Sequence, residues 1–193
     1  MNPSIAVFYG STTGNTQMAA EKIKARLGAR VPDLHDVISA EPDQLERYDL
    51  ILFGVPTWNV GEMQDDWADF IPRMEGLSLA GKKVAFFGVG DARGYPENFL
   101  DALGELWEAV TALGNPQLIG VWPTEGYNFE ESKGMYDDDH FLGLGLDEDN
   151  ESELTDGRIE EWITQVLQEA GIPDLADTGE VAPASASLTG ASR

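Results

Sequence analysis

The chain has 193 residues, a length that suits one α/β domain with a single hydrophobic core. It contains no cysteine, which excludes disulfides, thiolate metal sites and iron–sulfur clusters. With 12 basic and 35 acidic residues the formal net charge is −23, so nucleic acid and anionic membrane surfaces are unsuitable partners. The first apolar strand starts at Ile5 and no apolar run is long enough for a membrane span, so we expect a soluble, cytoplasmic protein.

Strand and helix patterns alternate along the chain. Three continuous apolar runs, typical of central parallel strands covered on both faces, occupy residues 5–9, 50–55 and 84–89. A further strand is predicted over residues 117–122. Residues 31–37 show a weaker pattern that includes Pro32, and they predict an edge strand because proline lacks a backbone donor.

Four helices are predicted between and after these strands, and Gly171 is placed to cap the last one. Their apolar faces have helical spacing at Ala19, Ala20, Ile23 and Leu27; at Met63, Trp67, Phe70, Ile71 and Met74; at Phe99, Leu103, Leu106, Val110 and Leu113; and at Ile159, Ile163, Val166 and Ala170. This alternation predicts an α/β fold with a doubly wound, five-stranded parallel sheet in the order 2-1-3-4-5. Ligands of such sheets bind at the carboxyl ends of the strands.

Two segments interrupt this pattern. Residues 141–146 read as the second half of the fifth strand, which an insertion over residues 124–140 splits from the first half. From residue 172 onward small, polar and acidic residues dominate. We therefore expect one domain over residues 1–171 and a disordered tail over residues 172–193.

The loop after the first strand, residues 10–16, contains hydroxyls and glycines and leads directly into a helix. Backbone N–H groups, Ser and Thr hydroxyls and the positive end of the helix dipole meet there, which suits a phosphate group. The loop contains no Lys or Arg, whereas the loop of a nucleotide triphosphatase needs its Lys to offset developing charge. The sequence therefore predicts that a phosphate is held and not cleaved.

Two further loops, residues 56–61 and 90–98, follow the third and fourth strands and each carries one large aromatic residue, Trp58 or Tyr95. A single loop Trp is more often a packing residue. Two aromatic residues beside a neutral phosphate site form a slot for a flat ring system joined to a phosphate. Stacking in such a slot favours the ring by ~0.5–1.5 kcal/mol per contact.

Taken together, these motifs resemble those of the flavodoxin family, and specifically its long-chain class. The resemblance covers residues 4 to 171 and rests on residues 7–23, on Pro56-Thr57-Trp58-Asn59, on Gly90-Asp91 through Tyr95, on Thr124-Glu125-Gly126-Tyr127 at the start of the insertion and on Leu146-Asp147-Glu148-Asp149-Asn150 at its end. It implies non-covalent FMN and a low-potential one-electron carrier that shuttles electrons between redox proteins.

The resemblance also implies a set of cofactor contacts. Those to the phosphate would come from the first loop: Ser11, Thr12, Thr13, Gly14, Asn15 and Thr16. Trp58 and Tyr95 would cover opposite faces of the flavin ring. The other implied contacts are Pro56, Thr57, Asn59, Val60, Gly61, Val89, Gly90, Asp91 and Asn98, with Asp147 on the ribityl chain. Many relatives have Lys or Arg in place of Asn15, a difference that weakens phosphate binding without abolishing it.

In the family, the peptide after the residue that matches Asn59 turns over on reduction and accepts a hydrogen bond from flavin N5–H. Gly61 would ease that motion, because glycine tolerates unusual dihedral angles. A neutral phosphate site in a strongly acidic protein disfavours negative charge on the reduced flavin. We therefore expect a strong, low-potential electron donor.

Two other functions compete with this one. An FMN-dependent NAD(P)H:quinone reductase on the same fold needs room for a second ring over the flavin, which Trp58 and Tyr95 oppose. A signalling receiver needs an acidic pair after the first strand, where this chain has Gly10-Ser11. We expect no catalytic residue, and no metal site, because the two histidines are far apart and lack metal-ligand spacing.

The acidic residues are unevenly distributed. Residues 125–161 contain fourteen of them against two basic residues, a net charge of −12. Two interpretations remain open, adaptation to high salt and a docking surface for basic partner proteins. The partners that the resemblance suggests are a ferredoxin–NADP reductase, nitrogenase, photosystem I or pyruvate oxidoreductase, and we expect a monomer.

Overall fold

The computed structural model describes residues 3–31 and 34–174 of the chain. Its strands are β1 (Ile5–Tyr9), β2 (Leu34–Asp36), β3 (Leu50–Trp58), β4 (Glu62–Met63), β5 (Lys83–Val89), β6 (Gln117–Leu118), β7 (Trp122–Pro123), β8 (His140–Phe141) and β9 (Leu144–Leu146). Its helices are α1 (Asn15–Leu27), α2 (Asp65–Arg73), α3 (Asp101–Thr111) and α4 (Thr155–Ala170). Within these described ranges no helix has both the length and the apolar character that crossing a membrane requires.

The central sheet has the order β2-β1-β3-β5-β6, and its strands run parallel. β6 pairs with the start of β5, while β9 pairs in parallel with the end of β5. The fifth strand is therefore split in two, as the sequence predicts, and the predicted strand order is confirmed. The short β4 folds back antiparallel onto the end of β3.

Alternate residues of the central strands point to opposite faces of the sheet, and each face has its own apolar cluster. One cluster lies under α2 and α3 and includes Ala6, Phe8, Ile51, Phe53, Val84 and Phe86. The other lies under α1 and α4 and includes Ile5, Val7, Leu50, Leu52, Ala85 and Phe87. Burial on both faces explains why these strands read as continuous apolar runs in the sequence.

The strand predicted over residues 117–122 is shorter in the structure, and this part of the prediction is wrong. Gly120 has a left-handed backbone with φ 72°. Its carbonyl accepts a hydrogen bond from Trp162 Nε1 at 2.8 Å, and its N–H donates to Glu169 Oε2 at 2.8 Å. The chain therefore leaves the sheet at Gly120 and continues into β7, which pairs antiparallel with β8 and closes the base of the insertion.

The structure describes only part of the predicted edge strand and part of the predicted C-terminal tail. The predicted edge strand is present as β2, and Pro32 lies outside the described residues. Ile172 is buried, and the Arg26 guanidinium binds Asp174 through two contacts, at 2.6 and 3.1 Å. The packed chain thus extends past the predicted domain boundary at residue 171, and residues 175–193 of the predicted tail lie outside the described residues.

Gly54 shows how closely the sheet and its side chains pack. It pairs with Phe87 across β3 and β5, and a Cβ at Gly54 would overlap the ring of Phe87. We expect Gly54→Ala to lower the free energy of unfolding by ~1–3 kcal/mol, because the ring has no space to move into. The measurement is urea unfolding followed by circular dichroism.

Gly157 in α4 provides a matched control, because a Cβ there has no atom within 4 Å. We expect Gly157→Ala to raise the free energy of unfolding by ~0.4–1 kcal/mol, since alanine restricts the unfolded chain. Equal effects of the two substitutions would contradict the close packing of Gly54.

Candidate functional site

An open cleft of about 270 Å³ lies at the carboxyl ends of β1, β3 and β5. It is lined by Thr13, Asn15, Pro56, Thr57, Trp58, Asn59, Val89, Gly90, Asp91, Tyr95, Asn98 and Asp149. Each of these residues except Asp149 belongs to the site that the sequence predicts. The three predicted loops therefore converge, because parallel strands present their carboxyl ends at one edge of the sheet.

The first loop forms a cradle at the start of α1. Gly14 has φ 96° and turns the chain into the helix, whose first N–H groups receive no side-chain cap. Ser11 Oγ and Thr16 Oγ1 are buried, and neither has a hydrogen-bond partner among the described residues. Buried hydroxyls without partners are rare and costly, and both of these atoms are able to donate to an anion.

The cradle is supported from behind by Gln64, which the sequence analysis did not identify. Gln64 is only 1% exposed, and its Nε2 donates to Thr12 Oγ1 at 3.1 Å. Its Oε1 accepts from Trp67 N at 3.3 Å and so caps α2. A Cβ at Gly10 would overlap both Gln64 and Trp67. In the sequence, the only indication of this role was that Gln64 is a polar residue beside Met63, on the apolar face of the predicted second helix.

The second loop is a tight hairpin between β3 and β4 that carries Trp58 into the cleft. Asn59 and Gly61 both have left-handed backbones, with φ 44° and 82°. Asn59 Nδ2 donates to Glu62 Oε2 at 2.7 Å, which fixes the turn from the solvent side. Of the predicted residues here, Val60 is 71% exposed and Gly61 is buried behind the turn, so neither lines the cleft.

The third loop brings Tyr95, which is 44% exposed, to the lining of the cleft. Asp91 Oδ1 organises this loop, because it accepts from Gly94 N at 2.7 Å, from Arg93 N at 3.1 Å and from Asn150 Nδ2 at 2.8 Å. The hydrogen bond from Gly94 is the largest cause that lowers the pKa of Asp91, and Asn150 and Arg93 add to it against partial burial.

Asp147 lies beneath the cleft and is 1% exposed. Its carboxylate accepts from Ala92 N at 3.0 Å and from Asn150 N at 3.0 Å, so it joins the third loop to the chain that follows β9. Asp149, two residues further along the chain, lines the cleft, whereas Asp147 does not. Both residues belong to one acidic run, and the sequence alone does not distinguish which of them faces the cleft.

The cleft has no positive charge of its own. Among its described lining residues the ionisable groups with a formal charge at neutral pH are Asp91 and Asp149, and none is Lys or Arg. An anion bound here is therefore held by backbone and hydroxyl donors and by the helix dipole. A neutral cradle beside an aromatic slot, at the switch point of a doubly wound sheet, defines a mononucleotide-binding α/β protein.

Comparison with known proteins identifies the family. Residues 7–162 match the flavodoxin family, and the chain belongs to it. It is 46% identical over 171 residues to a flavodoxin of Klebsiella pneumoniae, an alignment that covers 89% of this chain and 97% of that protein. It is 45% identical over 169 residues to a flavodoxin of Synechococcus elongatus, covering 87% and 98% of the two chains.

A solved structure agrees with the fold. The crystal structure of Fusobacterium nucleatum flavodoxin bound to flavin mononucleotide superposes with a TM-score of 0.80 at 27% sequence identity. The match covers 86% of this chain and 98% of that one. The predicted family and fold are thereby confirmed.

The hydrogen bonds of Asp91 predict its titration. Because its folded pKa is lowered, Asp91 contributes stability above its ordinary value of about 3.8 and loses that contribution as the pH falls through the folded pKa. NMR titration of its side-chain carboxyl carbon should therefore give a pKa below about 3.8. We expect Asn150→Ala to raise that pKa by removing one donor, and an Asp91 pKa at or above the ordinary value would contradict this account.

Proposed function

We propose that this chain is an electron-transfer protein that binds FMN non-covalently in the cleft and carries single electrons between redox proteins. The observation that carries the proposal is the pair of buried, unpartnered hydroxyls of Ser11 and Thr16 at the start of α1, next to the slot between Trp58 and Tyr95. A phosphate that satisfies these hydroxyls places an attached ring system at the slot. FMN has both parts, and when bound it supplies reversible one-electron chemistry.

The residues present fit the phosphate of FMN. Ser11 and Thr16 offer free hydroxyls, and Thr12 and Thr13 offer exposed ones at the same loop. Their hydrogen bonds to a charged acceptor are each worth ~1.5–3 kcal/mol, enough for tight binding without a cation. Asn15 adds a polar, uncharged group at the cleft.

We expect Trp58 and Tyr95, which both line the cleft, to cover the flavin ring and to leave little space for a second ring stacked on it. Trp58 comes from the end of β3, and Tyr95 comes from the third loop. Flavodoxins are electron-transfer proteins and not substrate-turnover enzymes, so the quinone reductase alternative is not favoured.

The charges around the cleft favour a low reduction potential. Asp91 and Asp149 lie at its edge, and the cradle brings no compensating cation from the described residues. A carboxylate ~10 Å from an added negative charge raises its energy by ~0.4–1.7 kcal/mol, depending on the effective dielectric constant. The chain therefore disfavours accumulation of negative charge in the cleft, as a strong electron donor must.

The hairpin of residues 59–61 is built so that its central peptide can turn. Val60 is 71% exposed, so its side chain packs little, and Gly61 already occupies a left-handed backbone. Asn59 remains tied to Glu62 at the outer side. These features support the expectation that the peptide after Asn59 changes orientation when the oxidation state of the cofactor changes.

Flavodoxins donate electrons to redox partner proteins. We extend this to partners with basic docking faces, such as a ferredoxin–NADP reductase, nitrogenase, photosystem I or pyruvate oxidoreductase, and to a monomeric, cytoplasmic carrier. The insertion supports this choice of partner, because exposed Glu130 and Glu131 both donate their N–H groups to Pro96 O, next to Tyr95. Acidic groups thus lie beside the aromatic edge of the cleft.

The phosphate contact is tested by Thr16→Val, which removes the hydroxyl and keeps the shape of the side chain. We expect FMN affinity to fall ~10-fold to 100-fold, since a hydrogen bond to a charged group is lost. Riboflavin, which lacks the phosphate, should bind equally well to both proteins. Fluorescence quenching of the two flavins by apoprotein measures both affinities.

The control for Thr16→Val is Thr111→Val in α3, where the hydroxyl donates to Trp107 O and is remote from the cleft. It should leave both flavin affinities unchanged. Equal losses of FMN and riboflavin binding in Thr16→Val would contradict a phosphate contact, and so would no loss.

The docking interpretation of the acidic residues is tested by ionic strength. We expect the bimolecular rate of electron transfer to a ferredoxin–NADP reductase with a basic face to fall ~10-fold or more from low to high salt. Stopped-flow absorbance measures this rate. The double variant Glu130→Gln, Glu131→Gln should reduce the salt dependence.

The matched control for this pair is Glu46→Gln with Glu75→Gln. These two residues precede β3 and β5 and therefore lie at the opposite end of the sheet from the cleft. Loss of the same net charge there should change the rate little. If both pairs have equal effects, the acidity serves net charge in general, as salt adaptation requires, and not docking at the insertion.

A further inference from the structure

A carboxylate is buried directly behind the cleft, at the first residue of α3. Asp101 is 1% exposed. Leu100, which precedes it, is fully buried and has φ 63°, a left-handed backbone that a branched side chain adopts only when its surroundings enforce it. The position of Asp101 is therefore imposed by the contacts around it.

Those contacts join three separate segments. Asp101 Oδ2 accepts from Asn98 Nδ2 at 3.0 Å, and Asn98 lines the cleft. Asp101 Oδ1 accepts from the backbone N–H of Lys133, in the insertion, at 2.7 Å. The same Oδ2 would lie 2.5 Å from a Cβ at Gly61, so the carboxylate packs against the base of the hairpin that carries Trp58.

The insertion packs so closely against α3 that two of the positions in contact must be glycine. A Cβ at Gly134 would lie 2.6 Å from Leu100 O, and one at Gly104 would overlap Lys133 O. On the other side, Ala102 N donates to Thr57 Oγ1 at 3.1 Å, and Thr57 lines the cleft. The first turn of α3 is thus held between the insertion and the cleft loops.

The charge of Asp101 is only weakly compensated. Lys133 Nζ lies 4.0 Å from Asp101 Oδ2, and the lysine side chain is 65% exposed, so solvent screens its charge. The two N–H donors, Asn98 Nδ2 and Lys133 N, are neutral groups and bring no compensating charge. A negative charge therefore lies in a dry position behind the cleft, where salt screens it less than a surface charge.

We propose that Asp101 is a positioning residue of the cleft, and that its carboxylate makes FMN bind less tightly in the reduced than in the oxidised form. It orients Asn98, supports the hairpin at Gly61 and adds negative charge behind both. The inference rests on the proposed function, because it concerns FMN in the same cleft.

The test is Asp101→Asn, which keeps the shape of the side chain and removes the charge. The ratio of the dissociation constants for reduced and oxidised FMN should fall ~3-fold to 10-fold, because one nearby charge is lost. The ratio follows from the midpoint potentials of the protein and of free FMN. A role limited to packing would weaken both oxidation states equally and leave the ratio unchanged.

The matched control is Glu108→Gln, an exposed residue seven positions further along α3 and therefore ~10 Å away along its axis. Its effect on the ratio should be less than ~2-fold and should vanish at high salt, while that of Asp101→Asn persists. Hydrogen exchange of the Lys133 amide in the apoprotein gives a readout without cofactor, and we expect it to speed up in Asp101→Ala.

The outcomes separate the two proposals. If the unmodified chain does not bind FMN, the proposed function fails. If it binds FMN and Asp101→Asn leaves the ratio unchanged, the role of Asp101 is overturned. Should Asp101→Asn not fold, Lys133→Gln at low salt is the second variant: losing the cation beside Asp101 should raise the ratio ~1.5-fold to 2-fold, and an unchanged or lower ratio overturns the proposal.

Discussion

The start of α1 is the constraint on which the rest of the structure depends. The hydroxyls of Ser11 and Thr16 are buried there without a partner in the described chain, an arrangement that costs free energy until an anion binds. Gly10 lets Gln64 and Trp67 pack directly behind the loop, so the cradle cannot relax by collapsing inward. Binding of an anion is thereby coupled to stability of the fold, since the native state gains binding free energy and the unfolded chain, which lacks the cradle, does not.

A cradle without cations has a consequence for the whole cleft. A lysine at the phosphate would bind it more tightly and would also attract the electron added to the ring. In the proposed complex the helix dipole and the hydroxyls would hold the phosphate locally, while Asp91, Asp149 and the buried Asp101 would keep the surroundings negative. Dipolar donors act over one turn of helix, whereas charges act over many ångströms. The chain can thus hold an anion and still oppose further negative charge.

Prediction from the sequence worked where a single local pattern decides the structure. The run at Ile5–Tyr9 matches β1 because both faces of that strand are buried, and Gly171 caps α4 with the left-handed backbone expected of it. The three loops of the cleft were predicted correctly because each directly follows the end of a predicted parallel strand. The break at Gly120 was missed because it depends on Trp162, which is distant in sequence. Gln64 and Asp101 were missed for the same reason, since their roles arise only from tertiary contacts.

The insertion is part of the packed body, which bears on its acidity. Burial raises the pKa of Tyr127 to about 12, and its ring lies 4.1 Å from the Arg158 guanidinium. Its hydroxyl donates to Gly145 O at 2.7 Å and accepts from Trp122 Nε1 at 2.9 Å. With the contact of Lys133 to Asp101 on α3, these bonds anchor the start and the middle of a segment whose carboxylates repel one another. A flexible acidic loop would relieve that repulsion by extending into solvent. The anchors oppose this extension and keep Glu130 and Glu131, whose N–H groups donate to Pro96 O, beside the third loop.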